Sequence, residues 1–324
     1  MLKLMLVTIA GFIACTCSAR IAFAQAGYPM RPITLIVPFA AGGPTDVVAR
    51  IVGASMSHTL GQQMVIENIV GAGGTTAGTR TMRAAPDGYT IMMGHMGTHA
   101  AAVALYPNLA YNPSIDFAPI GMVAGMPVLI LARKDTAARN LGEFIVYVKQ
   151  HAADLTMADA GLASVSQVTC AMFNSLVGAS PKIAAFQGSG PAMDALVAGR
   201  VDYMCDQIVT VVPQVYRRSI KVYAIGSPTR SPALPDVPTT KEAGLPQFAV
   251  SAWNALFAPK DTPQPIIATL NGALNAALDD VTTQQRLLEL GGDIPDRAER
   301  SPDALAALVK SEIAKWSAIL KAPG

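Results

Sequence analysis

The stretch Ile36-Val37-Pro38-Phe39-Ala40-Ala41-Gly42-Gly43-Pro44-Thr45-Asp46 constrains the fold most, because the hydrophobic period changes across two glycines. Thr34 to Val37 is a short apolar, β-branched run that suits a buried strand of a parallel sheet. From about Thr45 the residues Val47, Val48, Ile51, Val52, Ser55, Met56, Thr59 and Leu60 fall on one helical face, and Gly61 is a natural stop. A strand that feeds a helix through glycines gathers free N–H groups and the positive end of the helix dipole at one spot. Such a spot binds an anion without a cationic side chain.

The same grammar recurs down the chain. Met64 to Ile69 reads as a strand that runs into Gly71-Ala72-Gly73-Gly74-Thr75-Thr76-Ala77-Gly78. Gly73 and Gly78 have the G-x4-G spacing of a phosphate loop, but Thr79-Arg80 stands where Lys-Ser/Thr is required, so a nucleotide is not supported. Ala85-Pro86-Asp87-Gly88-Tyr89 turns into a strand at Thr90 to Met93. His95 and His99 then lie four apart with no third ligand residue nearby. We read them as bare polar loop residues rather than a metal pair, with Thr98 and His99 able to aim a donor into a cleft. Asn112 to Pro127 reads as an irregular, proline-containing crossing before a strand at Val128 to Ala132. Further strands fall at Leu155 to Ala158, Lys182 to Phe186, Val201 to Asp206, Lys221 to Ile225 and Ala252 to Phe257. Helices are expected over Leu141–His151, Gln167–Val177, Ala192–Ala198, Pro265–Leu278 and Ala304–Leu320. On the last of these, Trp316 packs into the core with Ile313 and Leu320. Ser164 or Ser166 suits an N-cap or a ligand contact. Asp206 closes a strand at the edge where ligands of open α/β sheets collect; it either caps that edge or accepts from a ligand group.

Charge and address narrow the function. Residues 1–24 read as a secretory signal peptide: Lys3, an apolar core from Leu4 to Ile13, and Ala22-Phe23-Ala24 before the cut. Cys15 only weakly imitates a lipoprotein site, so soluble export is expected. Removing Lys3 and Arg20 from the 24 basic residues leaves 22, matching the 22 acidic ones. A neutral exported chain argues against nucleic acid or a membrane surface as partner. Cys170 and Cys205 remain after cleavage; the compartment permits a disulfide, but nothing gives their distance, and we read two buried thiols. There is no G-x-S-x-G elbow, no H-E-x-x-H and no intact dinucleotide fingerprint, so no catalytic residue, metal or cofactor is assigned.

Across nearly the whole mature chain the sequence resembles the solute-binding receptors of tripartite tricarboxylate transporters, the Bug family. The resemblance rests on Tyr28-Pro29, Arg31-Pro32-Ile33, Ile36 to Asp46, Glu67-Asn68, Gly71 to Gly74, Ala85 to Thr90, Gly188 to Ala192, Leu234 to Thr239, Glu242-Ala243-Gly244 and Trp253-Asn254. It implies an α/β, two-lobed periplasmic binding protein (a type II-like Venus flytrap) with parallel-rich sheets flanked by helices. The lobes are expected at 25–126 plus 226–324 and at 127–225. It implies a monomer in the periplasm that closes on a small carboxylate and hands it to membrane components of the transporter. A ligand-presenting sensor is the alternative; a secreted hydrolase is set aside. The expected ligand contacts are Phe39, Ala40, Ala41, Gly42, Gly43, Thr45, Asp46, Thr98, Ala158, Ser164 and Asp206. Phe39 would pack on the ligand's carbon skeleton and Asp46 would hold the loop. The chain departs from the family where Ala163 replaces a glycine, Gln167-Val168 replaces His-Leu, Ala184 to Gly188 replaces Pro-Tyr-Lys-Gly and Ala255 follows Trp-Asn. These changes make the distal pocket less polar.

Overall fold

The structure is a computed structural model describing residues 27–321. The expected signal peptide lies outside the described residues. Strand β1 (Ile33–Val37) is apolar and nearly all buried. It pairs in parallel with β2 (Met64–Asn68) on one side and β3 (Thr90–His95) on the other. Helix α1 (Pro44–Leu60) joins β1 to β2 and buries Val48, Ile51, Val52 and Met56, each burial worth roughly 1.5–3 kcal/mol over exposure. Gly61 ends it at φ 65°, backbone that glycine adopts without a Cβ clash. Helix α2 (Thr75–Met82) follows β2, and β3 runs into a π turn at Gly97–Ala101 and the short α3 (Ala102–Leu105).

Beyond β3 the sheet becomes antiparallel. Strand β9 (Ser251–Pro259) lies beside β3, and β4 (Phe117–Arg133) lies beside β9. The expectation of irregular chain up to Pro127 is corrected here, because β4 is one strand of 17 residues. Its Phe117–Pro127 portion pairs with β9. Its Val128–Arg133 portion pairs with β7 (Tyr203–Gln207) and β8 (Ile220–Ile225). Pro119 and Gly121 flank a register shift, the kind of place where a strand tolerates proline. β5 (Thr156–Asp159) and β6 (Lys182–Ala185) continue in parallel beyond β7. Each lobe therefore has parallel outer strands, and the two meet along the antiparallel β4.

The second sheet carries α4 (Leu141–His151), α5 (Val165–Val177), α6 (Ser189–Val197) and α7 (Ile208–Tyr216). The proline-rich segment after β8 stays with this lobe: Phe248 packs edge-on against Phe173, and Tyr216 Oη donates to Ala233 O. Val128 N–H donates to Val250 O, and Gly226 N–H to Val128 O. From Ser251 the chain runs as β9 beside the Phe117–Pro127 portion of β4. Helices α8 (Gln264–Asp279), α9 (Val281–Glu289) and α10 (Pro302–Lys321) finish the first lobe. Trp316 on α10 is fully buried. Its Nε1–H and that of Trp253 both donate to Glu312 Oε2, at 3.0 and 3.2 Å. Cys170 on α5 and Cys205 on β7 form a disulfide with Cα atoms 5.3 Å apart. That corrects the two-thiol reading: packing of α5 on β7 supplies a proximity that spacing alone could not.

Candidate functional site

The two lobes touch through the loops that follow their strands. Ala40 N–H donates to Gln187 O at 3.1 Å, and Tyr106 Oη donates to Leu162 O at 3.1 Å. Between these contacts lies an enclosed cavity lined by Phe39, Gly43, Pro44, Thr45, His95, Ala160, Ser164, Val165, Ser189 and Gln207. Only about 10 Å³ of it is open to the centre of a water-sized sphere, room for about one water.

Four helices begin on this cavity. Gly43 is the N-cap of α1, Ser164 of α5, Gly188 of α6 and Gln207 of α7. Only Ser164 caps with its side chain, accepting from Gln167 N–H at 3.2 Å. The N-termini of α1, α6 and α7 have no side-chain cap, so their first N–H groups are left for a guest. None of the lining residues carries a positive charge. The site is positive through aligned peptide dipoles alone, each N-terminus equivalent to about half an elementary charge.

The network beneath the α1 loop holds it open toward the cavity. The Asp46 carboxylate accepts from Gly42 N–H (3.0 Å), Arg50 Nε (2.8 Å) and Nη2 (2.9 Å), and Asn68 Nδ2 (2.9 Å). Burial works against its charge, yet the bonds from Arg50, Gly42 and Asn68 keep its pKa below the usual carboxylate range. Gly42 sits at φ 83°, where a side chain would be strained. In the second lobe Asp206 accepts from Ser189 Oγ (2.9 Å) and Thr210 Oγ1 (2.7 Å). Complete burial pushes its pKa up to about 6.

Of the expected contacts, Phe39, Gly43, Thr45 and Ser164 line the cavity. Ala41 and Gly42 are exposed, and Ala40 is tied to Gln187. Asp46 and Asp206 are engaged behind the wall, holding the α1 loop and Ser189. Thr98 is buried with its hydroxyl on His95 and His99. Ala158 sits within β5 between Ala184 and Met204, and Ala160 reaches the cavity in its place. The reading of His95 and His99 as bare loop residues is corrected, since both are at most 1% exposed. Burial depresses their pKa values to about 3. His95 stacks on Phe39 with ring centroids 5.1 Å apart, and His99 stacks on Phe257 at 3.9 Å. The expected contacts omit the lining residues Pro44, His95, Ala160, Val165, Ser189 and Gln207. Pro44, Ala160 and Val165 adjoin expected positions and the helix-opening Gly188-Ser189-Gly190-Pro191 was a usable signal for Ser189, whereas His95 and Gln207 carried none.

Fold and site together define a two-lobed solute-binding protein whose cleft gathers helix N-termini. Residues 48–324 match the tripartite tricarboxylate transporter family receptor, TctC, and the chain belongs to that family. It is 51% identical to MatC from Rhodopseudomonas palustris with bound malate, at TM-score 0.89 over 91% of this chain and 100% of that one. A second R. palustris structure, with adipate, is 31% identical with TM-score 0.86, over 91% of this chain and 97% of that one. BugT of Bordetella pertussis is 32% identical over 92% of this chain and 90% of its own length. These relatives are binding proteins rather than enzymes, and so is this one.

Proposed function

We propose that the protein is a periplasmic receptor that closes its lobes on a small dicarboxylate and delivers it to the membrane components of a tripartite transporter. The observation that carries this reading is the convergence of four helix N-termini, three of them uncapped, on a cavity without a cation. One carboxylate is held by the N-terminus of α1 and the other by those of α6 and α7, with Phe39 against the carbon chain. A hydrogen bond to a charged group contributes about 1.5–3 kcal/mol. Two or three such bonds, with dipole terms of about 0.3–1 kcal/mol, reach the roughly −8 kcal/mol of micromolar binding.

The lobes in this reading are 27–127 with 251–321, and 128–250. The cavity has room for about one water, so a diacid enters only when the lobes separate and re-close around it. The bonds from Ala40 to Gln187 and from Tyr106 to Leu162 are weak enough to be exchanged for ligand contacts, and ligand drives closure by favouring the closed state. Malate and adipate, bound by the relatives, set the size range. Thermal-shift and calorimetric screening against mono-, di- and tricarboxylates tests the proposal. A dicarboxylate recovered unmodified after denaturation is the expected result. No response to any carboxylate would sink it.

A further inference from the structure

We infer that His95 is a ligand-recognising donor which, with Asn254, selects a dicarboxylate carrying a hydroxyl on its carbon chain. The inference rests on the dicarboxylate reading above and adds to it a determinant of which diacid is held. His95 ends β3 and is paired directly with Asn254 of β9, so the two side chains leave the same face of the sheet. Gly97 N–H points into His95 Nδ1 at 2.7 Å and Thr98 N–H at 3.4 Å. A ring nitrogen that accepts carries no proton, so in the neutral ring Nε2 carries the hydrogen. Glycine is needed at 97, because a Cβ there would collide with Ala163 O and stand 2.5 Å from His95 Cε1.

His95 lines the inter-lobe cavity, and its Nε2 is buried with no partner among the described residues. Asn254 Oδ1 is also buried and unpartnered, while its Nδ2 donates at 3.4 Å to Gln207 Oε1, another cavity residue. Buried polar atoms in folded proteins nearly always have partners. Here an unused donor lines the cavity, and an unused acceptor stands at the paired position of the neighbouring strand, on a side chain joined to the cavity residue Gln207. A hydroxyl answers both, accepting from His95 Nε2–H and donating to Asn254 Oδ1. A carboxylate would satisfy the histidine but face the amide oxygen with like partial charge. His99 Nε2 is unpartnered too, but its ring is packed against Phe257 and Phe117 away from the cavity, so it reads no ligand.

Calorimetry with malate and succinate, four-carbon diacids that differ by one hydroxyl, tests this on the wild type and two variants. His95→Asn keeps an oxygen where Nδ1 stood, so Gly97 N–H stays paired, and it removes the donor at Nε2. His95→Gln places an N–H near Nε2 and removes the Nδ1 acceptor. The wild type should bind malate at least about tenfold more tightly than succinate, as sites built around a substrate hydroxyl do. His95→Asn should bring that ratio to near unity by losing more affinity for malate than for succinate, and His95→Gln should keep most of it. A wild-type ratio near unity, an unchanged ratio in His95→Asn, or equal losses for both diacids would overturn the inference while leaving the carboxylate reading standing. If neither diacid nor any other carboxylate binds the wild type, both fail.

Discussion

Replacing Gly43 with aspartate should make the protein more stable and nearly unable to bind its ligand. Gly43 has φ −78° and ψ 170°, open to any residue. A Cβ there would lie 3.8 Å from the amide nitrogens of Ser189 and Gly190 and 3.6 Å from Ala40 O, ordinary contact distances. The new carboxylate would stand at the N-cap of α1 and face the start of α6, imitating a ligand carboxylate from within the chain. One hydrogen bond from an amide to a charged group contributes about 1.5–3 kcal/mol, and aspartate betters glycine as an N-cap by a few tenths. A gain of about 1–3 kcal/mol should raise the melting temperature by about 2–4 °C per kcal/mol. A ligand carboxylate about 4 Å from Asp at 43 would feel about 4 kcal/mol of repulsion at an effective dielectric near 20, about a thousandfold in Kd. Melting curves and calorimetry with malate measure both effects, with Gly43→Ala as the control for bulk. The reasoning is refuted if Gly43→Asp binds like wild type, or if Gly43→Ala loses as much affinity as the aspartate.

Stability should fall with acid through the two buried histidines. Their folded pKa values, about 3, lie below the unfolded value near 6.5, so the unfolded chain takes up the protons. Their contribution is intact above about pH 6.5 and is lost as pH falls toward 3, by up to about 1.4 kcal/mol per pH unit for each histidine. Asp206, raised to about 6, acts the other way and stabilises as pH drops from 7 toward 4. Two histidines against one aspartate leave a net loss between pH 6 and 4, which His99→Phe should nearly abolish in a melting series, one histidine then offsetting one aspartate. Replacing Cys170 and Cys205 by alanine opens a loop with a sequence separation of 35 and should cost about 3–4 kcal/mol on the chain-entropy account. Denaturant titration measures that loss, and a thiol assay on the unfolded chain without residues 1–24 should find no free sulfhydryl.

Much of the fold was legible because each βα unit announces itself locally. β1, α1 and Gly61 fell where the change of period and the glycine stop placed them. β4 was not legible: Pro119, Gly121, Gly125 and Pro127 look like loop residues, and only pairing with β9 and tolerance at its register shifts make them strand. α7 was hidden by its valines and by Pro213 inside the helix, which read against helix until the β7 edge beneath it is known. At the site, the anion-binding start of α1 was visible from Gly42-Gly43 alone. Its partners across the cleft depend on how two lobes meet, which no local pattern encodes. His95 shows the limit most clearly. Four-residue spacing to His99 suggested a metal pair or a polar loop, whereas the backbone N–H of Gly97 fixes its tautomer and turns the ring into a donor.

On the proposed reading, helix N-termini hold the ligand's carboxylates between the lobes without a cationic side chain. A crystal structure of the protein with malate should show carboxylate oxygens within hydrogen-bond distance of the first N–H groups of α1 and of α6 or α7, with no lysine or arginine in contact. Malate paired with Arg80 or Arg83 in the surface groove they share with Thr75, Thr76 and Thr79, or clamped by any other cation, would contradict it.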